Sequence, residues 1–191
     1  MHVMAINGSP RKKGNTTTLI HAMLEGAQAA GAETSEAHLH TMDMKGCMGC
    51  LSCRKIHGVC AQKDALSPFL EGMKSCDALI LGSPIYMYRI CGQMKLFVDR
   101  LYSLYAPKPE GVGYNPVVTP GKRFAIVISQ GAPGPEQYQR SVRWLAGMAG
   151  TGLGFVEVGR IIHANSHVEP AVKNEALLVQ ARDIGRKLVT G

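Results

Sequence analysis

The chain has 191 residues, 46% apolar and 18% charged, and carries a net charge of +7. That is enough to bury one full core, with the composition of an ordinary soluble globular protein. The N-terminal apolar run stops at Asn7, too short for a signal peptide, and no stretch is long enough to cross a bilayer, so a cytoplasmic protein without a membrane partner is expected. Lysines and arginines are spread along the chain and aromatics are only 6%, which argues against a nucleic-acid stacking platform. The charge suits anionic small molecules or an acidic protein partner.

Val3 to Ile6 reads as a short apolar strand. It runs into Asn7-Gly-Ser-Pro-Arg-Lys-Lys-Gly14, a turn with three cations, and then into Asn15-Thr-Thr-Thr18, which opens a helix over Thr16–Ala30. The first turn of a helix carries backbone N–H groups without partners and the positive end of the dipole. A phosphate fits there, with Ser9 and Arg11 closing from the turn side and Asn15, Thr16 and Thr17 supplying short donors. The loop has neither GxGxxG nor Gly-Lys-Ser/Thr, so it suits a mononucleotide phosphate such as that of FMN. An ordinary capped helix with a solvated basic tip is the other reading of the same residues.

Thr34–Leu39 is a candidate second strand, and His40–Cys60 a long loop without periodicity. Asp64 caps a helix over Ala65–Lys74, and Asp77–Gly82 reads as a buried central strand. A helix over Gln93–Tyr105 follows, then a proline- and glycine-rich loop or flap, Ala106–Gly121. Arg123–Ser129 is a second buried strand, Gln137–Met148 a helix, Gly154–Ile162 a fifth strand and Glu169–Val189 a terminal helix. Five strands alternating with helices give an α/β, doubly wound, three-layer domain over residues 1–191, with a five-stranded parallel sheet of order 2-1-3-4-5 and a cysteine-rich insertion at about 40–62.

In such a sheet ligands sit beyond the carboxyl ends of the strands. Three polar loops fall there: Asn7–Thr17, Ser83–Arg89 and Ser129–Gly134. Tyr86 and Met87 offer flat cover for a flavin ring, and the Gln130-Gly131 backbone offers groups for its polar edge.

Six cysteines are present, and Cys47, Cys50, Cys53 and Cys60 are clustered. Disulfides are disfavoured in a reducing compartment, so the cluster points to metal or redox chemistry. Cys-x2-Cys-x2-Cys is a recurrent iron–sulfur spacing, whereas structural zinc uses two separated pairs. A 4Fe–4S cluster, free redox-active thiols and zinc are the three readings. Cys76 and Cys91 read as packing residues.

Gly8-Ser-Pro-Arg11 with Gly14-Asn-Thr16, Gly82-Ser-Pro-Ile-Tyr86, Gly92-Gln-Met-Lys95, Phe97-Val-Asp-Arg100 and Gln130-Gly131 together resemble the NADPH-dependent FMN reductase family, of flavodoxin-like fold, and within it the iron–sulfur flavoproteins. The resemblance implies that Ser9, Arg11, Asn15, Thr16 and Thr17 hold the FMN phosphate. It implies that Pro84, Ile85, Tyr86 and Met87 line the ring and ribityl chain, with Ser129, Gln130 and Gly131 opposite. Asp99 and Arg100 buttress the loop from their helix. It also supports a cluster on the four cysteines, NAD(P)H as co-substrate, a homodimer or homotetramer, and a flavin or quinone acceptor. An electron carrier working with ferredoxin is the alternative, and a zinc-stabilised binding module a third. Tyr88 and Arg89 depart from the family, which has Gly and Ser there.

Overall fold

A computed structural model describes residues 1–191. Its central sheet has the parallel order β2-β1-β3-β7-β8, from strands His2–Asn7 (β1), Glu33–His38 (β2), Ala78–Tyr86 (β3), Arg123–Ser129 (β7) and Val156–His163 (β8). This is the 2-1-3-4-5 order expected from the alternation of elements. Two-residue β4 (Arg89–Ile90) folds back antiparallel on β3. The register aligns the strand ends: Asn7 lies opposite His38 and Gly82, Pro84 opposite Ser129, and Ser129 opposite His163. The loops that follow β1, β3 and β7 therefore start at the same edge.

Alternate side chains of the buried strands pack on opposite faces. Val3, Ala5, Ile80 and Val127 meet α1 (Asn15–Ala29) and α5 (Glu175–Thr190). Met4, Ile6, Leu79, Ile126 and Ile128 meet α2 (Ser67–Ser75), α3 (Gly92–Arg100) and α4 (Gln139–Gly147). Helices α1 and α5 cross with backbones in contact: a Cβ on Gly26 would collide with the Arg182 carbonyl, and one on Gly185 with the Met23 carbonyl.

Several boundaries differ from the sequence reading. The terminal helix starts at Glu175 rather than Glu169, because Pro170 breaks the run and Asn174 Oδ1 accepts the Leu177 N–H at 3.0 Å as its cap. Helix α2 starts at Ser67 rather than Ala65, since the Asp64 side chain folds into a turn with Leu66 and Ser67. The expected Gln93–Tyr105 helix becomes α3 followed by a 3-10 turn over Leu101–Leu104. Ala106–Gly121 is not wholly a loop. It contributes to an antiparallel ribbon of β5 (Tyr105–Pro107) and β6 (Tyr114–Pro116), where prolines are tolerated because the ribbon is all edge. No helix is long and apolar enough to cross a membrane.

Candidate functional site

The turn after β1 is fixed by buried polar groups. Asn7 donates to Thr17 Oγ1 (3.0 Å) and Glu36 (2.8 Å), while its Oδ1 accepts the Ser9 N–H (2.9 Å). Ser9 Oγ accepts the Arg11 N–H at 3.2 Å, and the Ser9 carbonyl bonds the His38 ring at 2.7 Å. Thr17 Oγ1 donates to the Arg11 carbonyl at 2.9 Å. A Cβ on Gly14 would lie 2.9 Å from that of Arg11, so only glycine lets the turn close. What remains is a helix start without a side-chain cap, without acids, and with the N–H groups of Asn15, Thr16 and Thr17 unpartnered. Such a start attracts an anion.

Ser9, Arg11, Gly14, Asn15, Thr16, Pro84, Ile85, Tyr86, Ser129, Gly131 and Ser166 line one cavity of about 110 Å³ at the strand ends. Nine of the twelve flavin positions expected from the sequence are among them. The other three are placed differently. Thr17 turns its hydroxyl inward to Asn7 and Arg11. Met87 stands at a turn tip, 87% exposed. Gln130 is buried, its amide donating to the Gly134 carbonyl at 2.7 Å while its Oε1 has no partner. The Asn15 amide is also engaged, donating to the Ser166 carbonyl (2.7 Å) and accepting the Ala171 N–H (2.8 Å). It ties α1 to the segment after β8 and leaves its backbone N–H to face an anion. Ser166 was missed in the sequence; it follows the fifth strand and belongs to a fourth strand-end loop. Thr16 Oγ1 bonds Ser129 Oγ at 3.0 Å, joining the first and third loops across the cavity.

The second loop is a hairpin. Ile85 pairs with Ile90 and Tyr86 with Arg89, leaving Met87 and Tyr88 as a two-residue turn. Both have positive φ, 45° and 68°, as a type I′ turn requires. Neither is Gly, Asn or Asp, so the turn carries backbone strain. Tyr88 meets Tyr138 edge-on at 5.9 Å, and its carbonyl accepts Ser141 Oγ–H at 3.1 Å. The tyrosine and arginine that depart from the family pattern thus face α4, not the cavity.

The cysteine loop lies beyond β2, on the face covered by α3. Cys47, Cys50, Cys53 and Cys60 all line one narrow cavity of about 20 Å³, with Arg100 and Tyr102. Cys47 and Cys50 form its exposed wall, Cys53 and Cys60 its more buried one. No three Cys, His, Asp or Glu side chains stand close enough to hold one metal ion. Hydrogen bonds from the Ser52 N–H and hydroxyl lower the Cys50 thiol pKa, while burial pushes that of Cys53 up. The Gly49 N–H donates to Cys47 Sγ at 3.5 Å and Arg100 Nε–H to Cys60 Sγ at 3.2 Å. Arg100 also bonds Asp64 (2.6 Å) and the Lys45 carbonyl (2.8 Å). Arg54 inserts between Tyr102 and Tyr114, its guanidinium 3.7 and 4.2 Å from the ring centres. The two arginines clamp the loop to α3 and the β5–β6 ribbon. Asp99 instead pairs with Lys95 on the surface. Cys76 and Cys91 are buried, and Cys91 Sγ–H donates to the Gly8 carbonyl at 3.0 Å.

Known proteins share this fold. The fold matches an NAD(P)H:quinone oxidoreductase from Methanothermobacter marburgensis (TM-score 0.74, 17% identity, 100% of this chain and 98% of that one). It also matches an FMN-dependent NADH-azoreductase from Bacillus anthracis in complex with FMN (TM-score 0.74, 14% identity, 99% of both chains). An iron–sulfur flavoprotein of Methanocaldococcus jannaschii is 38% identical over 100 residues, 52% of this chain and 51% of its own. One of Archaeoglobus fulgidus is 31% identical over 137 residues, 72% of this chain and 58% of its own. The chain thus spans about half the length of the curated relatives it matches. The family model for NADPH-dependent FMN reductases matches residues 1–167, from the first strand through the loop after β8. With a flavodoxin-like sheet and strand-end loops in register, the chain belongs to the NADPH-dependent FMN reductase family.

Proposed function

We propose that the protein is an FMN-dependent oxidoreductase that takes electrons from NAD(P)H. The observation that carries this is the strand-end cavity, where three unpartnered N–H groups, Arg11 and the Ser9 hydroxyl meet the Pro84–Tyr86 and Ser129–Gly131 walls. The phosphate would rest on the backbone of Asn15, Thr16 and Thr17, with Ser9 and Arg11 above it. Tyr86, 46% exposed, would cover the ring, and the Ser129–Gly131 backbone would meet its polar edge. FMN, when bound, would supply hydride and electron transfer between NAD(P)H and an acceptor such as a flavin or quinone. The protein's share is to bind, orient and exclude water. Purified protein should show flavin absorbance or take up FMN, and should bleach on anaerobic addition of NADPH or NADH. Failure to take up FMN would sink the reading.

A second reading adds a 4Fe–4S cluster on Cys47, Cys50, Cys53 and Cys60, with the protein passing single electrons to a carrier such as ferredoxin. Its support is that all four thiols border one cavity and that two already accept N–H donors. The Cys-x2-Cys-x2-Cys spacing suits an iron–sulfur centre better than a zinc site built from two separated pairs. Iron and acid-labile sulfide in equal amounts, four of each per chain, would support it, and flavin absorbance alone would exclude it. We further propose that the protein works as a homodimer or homotetramer, which light scattering tests.

A further inference from the structure

Ser9 and Pro84 line the strand-end cavity, and the residues just before them, Gly8 and Ser83, are joined behind it by Cys91. Ser83 is fully buried and Cys91 is 1% exposed. The Cys91 thiol donates to the Gly8 carbonyl at 3.0 Å, and the Cys91 N–H donates to Ser83 Oγ at 3.0 Å. Ser83 Oγ–H donates in turn to the Pro84 carbonyl at 2.8 Å, and its oxygen lies 3.3 Å from Cys91 Sγ. The Gly8 N–H donates to the Gly82 carbonyl at 2.8 Å, so Gly8 is held from β3 on one side and from Cys91 on the other. A Cβ on Gly8 would lie 2.8 Å from Cys91 Sγ and 3.1 Å from the Met94 Cβ, so the sulfur fills the room that a side chain there would need.

Packing alone accounts for a buried cysteine. It does not account for a thiol proton, a backbone N–H and a serine hydroxyl that converge where three segments pass: the exit of β1, the end of β3 and the return of the hairpin into α3. The hairpin also needs an anchor. Met87 and Tyr88 hold its tip at positive φ, and such strain persists only where the surroundings fix it. Ser141 holds the tip through the Tyr88 carbonyl at 3.1 Å, and Ser83 and Cys91 hold the base.

We propose that Ser83 and Cys91 are positioning residues for the FMN site: their junction with Gly8 fixes the spacing between the turn after β1 and the Pro84–Tyr86 wall. The proposal rests on the FMN reading for its ligand. A ligand that touches both walls gains from their fixed spacing, and one that touches a single wall does not. Without the junction the walls move separately, which weakens FMN more than riboflavin, since riboflavin has no phosphate to reach the turn.

The test uses three variants of the full chain. Cys91→Val keeps bulk without the S–H, Cys91→Ser keeps a donor, and Ser83→Ala removes the acceptor of the Cys91 N–H. Calorimetry measures FMN and riboflavin affinity, and amide hydrogen exchange is followed in the ligand-free protein. Cys91→Val and Ser83→Ala are expected to lose about tenfold in FMN affinity, the size of one net hydrogen bond, with riboflavin changed by less than about twofold. Cys91→Ser should recover most of the loss. In the ligand-free Cys91→Val and Ser83→Ala proteins the amides of segments 8–11 and 85–91 should exchange together, about tenfold faster than in the parent chain. An undiminished FMN affinity in Cys91→Val would make the sulfur a packing group and overturn the proposal, as would equal losses for FMN and riboflavin. Should Cys91→Val fail to fold, Ser83→Ala decides on the same readings. A parent protein that takes up no FMN would remove the reductase reading; faster exchange of both segments in the variants would still support the junction, and unchanged exchange would sink it.

Discussion

Arg100 donates its Nε–H to the sulfur of Cys60 across 3.2 Å while its Nη1 contacts Asp64 at 2.6 Å, so one buried guanidinium joins the cysteine loop to the turn before α2. Its side chain is wholly buried and that of Asp64 is 14% exposed. Replacing Arg100 by Met leaves the Asp64 carboxylate and the Lys45 and Gln62 carbonyls without their donor. We expect a loss of about 3 kcal/mol, because removing one partner of a buried pair strands the other. Urea unfolding of the metal-free protein measures it, and a loss below about 1 kcal/mol would show that water replaces the arginine.

The same pair sets a response to acid. Burial pushes the Asp64 carboxyl up, but the Arg100 guanidinium and the Lys45 and Leu66 N–H groups outweigh it and hold the pKa below the ordinary value. A carboxyl lowered in the folded state contributes stability above its unfolded pKa, about 3.9, and loses it as pH falls through the folded value. Melting temperature should therefore drop as pH falls below about 4, and Asp64→Asn should start lower but show a shallower drop there. Parallel curves for the two proteins would assign the acid response to other groups.

Two residues of the turn after β1 should separate by experiment. Arg11 is exposed, so Arg11→Ala should leave stability within about 0.5 kcal/mol and weaken FMN about tenfold or more, with riboflavin affinity unchanged. Asn15→Ala should instead cost about 2 kcal/mol of stability, because the Ala171 N–H, in a fully buried residue, loses its acceptor. Calorimetry with both ligands and thermal unfolding decide. A variant of Arg11 that weakens FMN and riboflavin alike would place its action on the ring rather than the phosphate.

The hairpin turn offers a gain in stability. Met87 has φ of 45° and is 87% exposed, so replacing it with Asn removes strain without losing packing. Met87→Asn should stabilise the protein by about 0.5–1 kcal/mol, read as a higher melting temperature. A lower one would mean that the methionine is packed against something other than solvent, such as a second subunit.

The sheet order, and the gathering of nine of the twelve expected positions around one strand-end cavity, were legible because buried strands read as apolar runs and strand-end loops must converge on one edge. Helix starts were less so. Asn174 caps the terminal helix through a side-chain bond five residues after the expected start at Glu169, and Asp64 spends its side chain on the turn with Leu66 and on Arg100. The engagement of the Asn15 amide could not be read, since its partners Ser166 and Ala171 lie over 150 residues away. The cysteine spacing was plain, but its clamp was not: Arg100 and Arg54 reach it from outside the motif or across to distant aromatics.

The glycine crossing of α1 and α5 bears on the proposed anion site. With Gly26 against the Arg182 carbonyl and Gly185 against that of Met23, the two helices cannot slide or rotate past each other without a backbone clash. Asn15 pins the start of α1 to the chain leading into α5, so both ends of the pair are tied. The start of the helix that presents the Asn15, Thr16 and Thr17 N–H groups is therefore held by the fold's own contacts. An anion bound there would meet donors already in place, so little ordering entropy would be lost on association.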